Sequence, residues 1–96
     1  MSALVVNRIK LRIPVEDLLP DIERDFPPAL RGLPGFERFS LAKVGPTEMV
    51  VVLSWVSAEA AESGAAILGP GLFHTIIAPH AESQDRVVGP ILVEVA

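Results

Sequence analysis

TEMVVVLSWVSAEAAE, residues Thr47 to Glu62, decides how the chain folds. Met49 to Leu53 is an unbroken apolar run, followed by Ser54 and the only tryptophan, Trp55. Met49, Val51, Leu53 and Trp55 fall on one face of an extended strand, and Val50, Val52 and Val56 on the other. A strand that is apolar on both faces is central and covered twice. Ser57 then offers a hydroxyl to cap a helix, and Glu59 sits in its first turn, where the dipole favours an acid. Ala60 stands where a capping box needs Glu or Gln. The stretch is a buried strand running straight into a helix, with a large ring at the joint.

Residues 3 to 13 alternate with period two. Ala3, Val5, Ile9, Leu11 and Ile13 share a face with one exception, Asn7, while the other face turns basic at Arg8, Lys10 and Arg12. A solvated strand edge is a far commoner origin for such a basic row than a phosphate track. Residues 15 to 31 carry Leu18, Ile22, Phe26 and Leu30 on one helical face. Pro20 suits a first helical turn, and Gly32 is a natural stop. Pro27 and Pro28 remove two donors, which predicts a kink or break there. Gly35 to Val44 reads as the second strand, closed by a Gly45-Pro46 turn, and Thr47 to Val56 as the third.

The helix after Ser57 is alanine-rich to Leu68, is interrupted by Gly69-Pro70-Gly71, and resumes from Leu72 to Ala78 until Pro79 ends it. Val87 to Val95 reads as the last strand, bent or placed at an edge by Gly89-Pro90. The order β-α-β-β-α-β over residues 1–96 predicts one α+β domain of ferredoxin-like type, with an antiparallel sheet and both helices on one face. The opposite face has no helix left to cover it. Half of the residues are hydrophobic and mean hydropathy is +0.46. A short domain buries a limited share of its surface, so a second copy of the chain is the expected cover.

Composition excludes several function classes. Without cysteine there is no disulfide, thiolate nucleophile or cysteine-ligated metal. A net charge of −4 and five aromatic residues leave no electrostatic footprint for nucleic acid. No apolar run approaches the roughly 18 residues of a spanning helix, and the start lacks the pattern of a signal peptide, so a cytoplasmic protein without membrane contact is expected. The glycines form no phosphate-binding fingerprint. His74 and His80 are six apart, which is not a one-face metal pair, so no metal is expected.

Leu33-Pro34-Gly35-Phe36 before strand two, Ser54-Trp55-Val56-Ser57 with Glu59, Phe73 in the second half of helix two, and Asn7 in strand one together resemble the antibiotic biosynthesis monooxygenase (ABM) type of dimeric α/β barrel. The resemblance spans almost the whole chain. It implies a homodimer in which two sheets close into a barrel, and a pocket in each subunit between sheet and helices. It also implies a cofactor-independent monooxygenase, an oxidoreductase acting on a small aromatic or quinone-like compound whose own electrons reduce oxygen after deprotonation. The alternative is a non-catalytic homodimer that binds a small apolar ligand. Haem binding or degradation is a minority option, because alanine, serine and glycine surround Ser63 and Gly64 where haem-degrading relatives carry a second tryptophan.

Four side chains are candidates for chemistry. Asn7 interrupts an apolar row. Judged by residues alone, a satisfied core asparagine ranks slightly ahead of a ligand contact, and the resemblance raises the second. Trp55 is first a core residue giving its indole N–H to a carbonyl, and second a wall on which a flat substrate stacks. His74 and His80 are the only side chains that ordinarily titrate near neutral pH, although each is more often a surface or capping residue. Phe73, with Leu72 and Ile76, is the expected substrate-pocket wall.

Overall fold

Alternation along the first strand, β1 (Ala3–Leu11), becomes a division between two faces of a sheet. Ala3, Val5, Asn7, Ile9 and Leu11 are buried, whereas Leu4 and Val6 are half-buried and Arg8 and Lys10 exposed. The structure is a computed structural model that describes all 96 residues. After a short 3-10 turn at Val15–Asp17 come α1 (Leu19–Arg31), β2 (Phe36–Gly45), β3 (Glu48–Trp55) and α2 (Ala58–Leu68). The helical path kinks at Gly71, where the backbone is not helical, as Gly69-Pro70-Gly71 predicts; it continues to Ile77, and a 3-10 turn (Ala78–His80) leads into β4 (Ala81–Pro90). The strands form one antiparallel sheet in the order β2-β3-β1-β4. This is the expected ferredoxin-like α+β arrangement. No helix is long and apolar enough to cross a membrane.

Two helix ends form as their residues dictate. Ser57 Oγ accepts a hydrogen bond from the Ala60 amide at 3.1 Å and caps α2. Pro20 occupies the first turn of α1, and the helix stops at Gly32. The prolines give a correction. α1 runs through Pro27 and Pro28 without the expected break. The carbonyls deprived of donors belong to Glu23 and Arg24, both solvent-exposed residues. Those acceptors are left open to solvent, while Ile22, Phe26 and Leu30, on one face and all buried, hold the helix to the sheet.

The end of the chain gives a second correction. β4 begins at Ala81 rather than Val87 and ends at Pro90; residues 91–96 form no regular element. Its polar stretch, Glu82 to Arg86, pairs with β1 in register from Lys10↔Ser83 to Asn7↔Arg86. An edge strand needs backbone partners on one side only and little apolar content, so hydropathy does not reveal it.

Gly35 connects α1 to the sheet. Its φ of 78° lies in the left-handed region, and a Cβ there would approach Ala60 Cβ to 2.7 Å. The Val56 amide bonds the Gly35 carbonyl at 2.8 Å, so the Leu33–Phe36 turn is fastened to the start of α2. The core on the helical side divides into two clusters. The larger gathers Ile9, Leu30, Met49, Val51 and their neighbours; the smaller consists of Ala3, Val5, Trp55 and Ala61. Asn7 lies between Val5 of one and Ile9 of the other.

Candidate functional site

The seam between the two clusters is hollow. A cavity of about 220 Å³ lies between sheet and helices, lined by 18 residues of which 14 are hydrophobic. Val5, Trp55 and Ala61 come from the smaller cluster; Ile9, Phe26 and Val51 are among those from the larger. Besides Gly69, the remaining lining residues are Asn7, Gln84 and Arg86. The walls are held by aromatic packing. Phe36 meets Trp55 edge-on at 5.7 Å between centroids, and Phe26 stacks on Phe39 at 6.0 Å.

Trp55 is 2% exposed, the last residue of β3, and its ring reaches under α2. The helix comes so close that a Cβ at Gly64 would stand 2.2 Å from Trp55 Cη2. Gly64 is therefore the residue that lets α2 lie on the indole. The expected bond from the indole N–H to a carbonyl does not form, and the indole makes no hydrogen bond within the chain. Trp55 gives the cavity an aromatic wall, and its indole N–H is left without a partner in the chain.

Asn7 is buried at 9% exposure and donates from Nδ2 to Gln84 Oε1 at 3.0 Å. Gln84 lies opposite Ile9, one diagonal step from Asn7 across the β1–β4 pairing. Asn7 Oδ1 is the one fully buried side-chain oxygen or nitrogen without a partner. Such an orphaned acceptor costs roughly 1–3 kcal/mol and marks a place where another polar atom belongs. Arg86, directly opposite Asn7, is exposed and lines the cavity. It takes part in no ion pair, unlike Arg8, Arg24 and Lys43, which pair with Glu48, with Asp21 and Asp25, and with Glu16.

Among the residues singled out from sequence, Asn7, Trp55 and Phe73 converge on the cavity. Leu72 and Ile76 belong to the surrounding packing and do not line it. His74 is exposed, His80 half-buried, and neither borders the cavity. No three His, Asp or Glu side chains gather as a metal-ligand cluster. The sequence pattern does not reveal Gln84 and Arg86, because it starts the last strand at Val87, six residues after its actual beginning at Ala81. Their period-two spacing with Val88, all opposite odd positions of β1, is the signal that would have found them.

No family model matches the chain, and no curated protein matches it by sequence. Solved structures do match. SnoaB, a cofactor-independent oxygenase from Streptomyces nogalater, superposes with a TM-score of 0.81 at 16% identity, over 98% of this chain and 96% of that one. The monooxygenase ActVA-Orf6 of Streptomyces coelicolor, solved in complex with the ligand nanaomycin D, gives 0.78 at 17% identity, over 99% and 91%. The heme-degrader MhuD of Mycobacterium tuberculosis, with two hemes in its active site, gives 0.66 at 22% identity, over 98% and 99%. At these identities the likeness establishes a shared fold, and one fold carries more than one chemistry.

Proposed function

We propose that this protein is a cofactor-independent monooxygenase of the ABM type, acting on a small aromatic or quinone-like compound held in the cavity. The observation that carries the proposal is the hollow seam itself: an apolar chamber with an aromatic wall at Trp55 and an unpartnered amide oxygen at Asn7. An apolar cavity of roughly 150 Å³ is enough to take up benzene, so about 220 Å³ suits one ring or two fused rings. The fold shared with SnoaB and ActVA-Orf6 supports the same reading.

Trp55 and Phe73 hold the ring system flat; the Trp55 N–H, and the Asn7 amide once rotated so that Nδ2 rather than Oδ1 is free, stabilise negative charge on its oxygens. In the simplest balanced reaction a ring methylene becomes a carbonyl. One atom of O2 enters the substrate, the other leaves in water, and all four electrons come from the substrate carbon. His74 and His80, away from the cavity, take no step.

We further infer that two copies of the chain associate through the sheet face that carries no helix, where Leu4, Val6, Val50 and Val52 are half-buried by their neighbours alone. A cytoplasmic location goes with this reading.

A haem does not fit the residues present. No histidine, tyrosine, cysteine or methionine lines the cavity to ligate iron. A second reading, a ligand-binding protein without catalysis, is favoured by one observation: no lining side chain is a general base. The deciding experiment incubates purified protein with a panel of one- and two-ring hydroquinones and 1-naphthols, whose keto tautomers carry a ring methylene, under 18O2 in the presence of a chelator. The expected product carries one labelled oxygen, formed more slowly by Trp55→Phe. Oxygen uptake no faster than buffer across the panel would leave the binding reading in its place.

A further inference from the structure

The polar corner of the cavity lies on the β1–β4 side of the sheet. Among 18 lining residues there is one formal charge, that of Arg86, in a chain whose net charge is −4. No carboxylate lines the cavity, and none lies within ion-pair distance of the guanidinium. Across the pairing stands Asn7, nine-tenths buried, joined by one hydrogen bond to Gln84 and otherwise unpartnered.

The two carboxamides form an adaptable pair. As placed, Asn7 donates to Gln84 and keeps a free acceptor. If both amides rotate by half a turn, Gln84 donates to Asn7 Oδ1 and the free group becomes an N–H donor. Either arrangement retains the bond between them. The corner therefore offers an anion a fixed cation from β4 and a convertible donor from β1.

The cavity lining contains no Asp, Glu, His, Lys, Tyr or Cys. No side chain in the cavity accepts a proton from a bound molecule near neutral pH. A ligand that is to be an anion there must be acidic enough to give its proton to water on its own.

From this juxtaposition we propose that the cavity selects planar one- or two-ring compounds bearing an acidic enol or phenol that is already ionised in solution. Arg86 is the residue that selects the anion, and the Asn7–Gln84 pair positions the same oxygen. The proposal rests on the cavity being the substrate site, and it names the class of substrate. The proton leaves to solvent before binding, so binding itself transfers none.

The experiment uses two rings of nearly equal size, 2-hydroxy-1,4-naphthoquinone, an enolate at neutral pH, and 1,4-naphthoquinone, which has no acidic group. Quenching of Trp55 reports binding, since it is the only tryptophan and lines the cavity; the absence of cysteine removes thiol addition to the quinones. The wild-type protein is expected to bind the hydroxy compound about tenfold or more tightly than the unsubstituted ring, a ratio in the range expected for a charge pair near a protein surface. Arg86→Met should abolish that preference while leaving affinity for 1,4-naphthoquinone within about twofold. Arg86→Lys should restore part of the preference. Arg86 is exposed on an edge strand, and unchanged melting temperatures will verify that the variants fold. Equal effects of Arg86→Met on both compounds, or none on either, would overturn the selection of anions while leaving the cavity as the binding site. If neither compound quenches Trp55 in the wild type, the cavity reading fails and this proposal falls with it.

Discussion

The two faces of the sheet are built from the same strands and differ in how they are finished. On the helical side, Ile9, Met49 and Trp55 are at most 2% exposed, and the single polar residue of β1 there is Asn7. On the bare side, the same strands present Leu4, Val6, Val50 and Val52, all half-buried, with the Arg8–Glu48 ion pair among them. The chain seals the first face with its own helices and places none over the second. The finished face still contains a hollow. A cavity kept inside the better-packed face of a 96-residue domain forgoes contacts that packing would otherwise supply, which is the usual mark of a site for a ligand.

Substitutions separate the faces. Trp55→Ala should have the largest effect, a loss of about 3–5 kcal/mol in urea unfolding, because it empties the smaller core cluster and removes the support of Phe36 and α2. A loss below about 1 kcal/mol would mean the indole is merely a lining. Val52→Asp on the opposite face should weaken self-association by about a hundredfold in sedimentation, close to 2.7 kcal/mol, with the subunit still folded. An unaltered sedimentation coefficient would place any dimer contact elsewhere.

Asn7→Ala is expected to change stability by less than about 1 kcal/mol, since it breaks one bond to Gln84, itself exposed, and removes an acceptor that has no partner. A loss of about 3 kcal/mol would reveal a structural role and remove Asn7 from the site. The smallest effect concerns surface acids. The hydrogen bond from Lys43 holds Glu16 below its ordinary value of 4.5, and that from Arg24 holds Asp25 below its ordinary 3.8. Depressed carboxylates stabilise above their unfolded pKa values and lose that contribution as pH falls through the folded ones. Melting temperature should accordingly be insensitive to these pairs above about pH 4.5 and fall slightly below it, less so in high salt. Loss of the acid-side fall in Lys43→Met would assign part of it to Glu16.

Much of this was legible in the chain. The alternation of β1, the doubly apolar β3, the Ser57 cap and the stop at Gly32 each follow from local rules, because periodicity and capping act over a few residues. Asn7 stood out in the sequence for the same reason: one amide in an apolar row. α1 was harder to read. Two prolines argue against helix locally, and three buried side chains on one face outweigh them.

What the sequence by itself determined is therefore the order of elements, the faces that β1 and β3 bury and the oddity of Asn7. Only the tertiary structure decided the start of β4, the cavity and its lining. A polar edge strand is fixed by the backbone groups of its neighbour, so Glu82 to Arg86 carry no hydropathic signal, and the apolar run after them invites the wrong placement. The cavity exists because the two clusters fail to meet, which is a property of distances between elements. Arg86 becomes a residue of that cavity through its register with Asn7, 79 positions earlier in the chain, and no local pattern encodes that pairing.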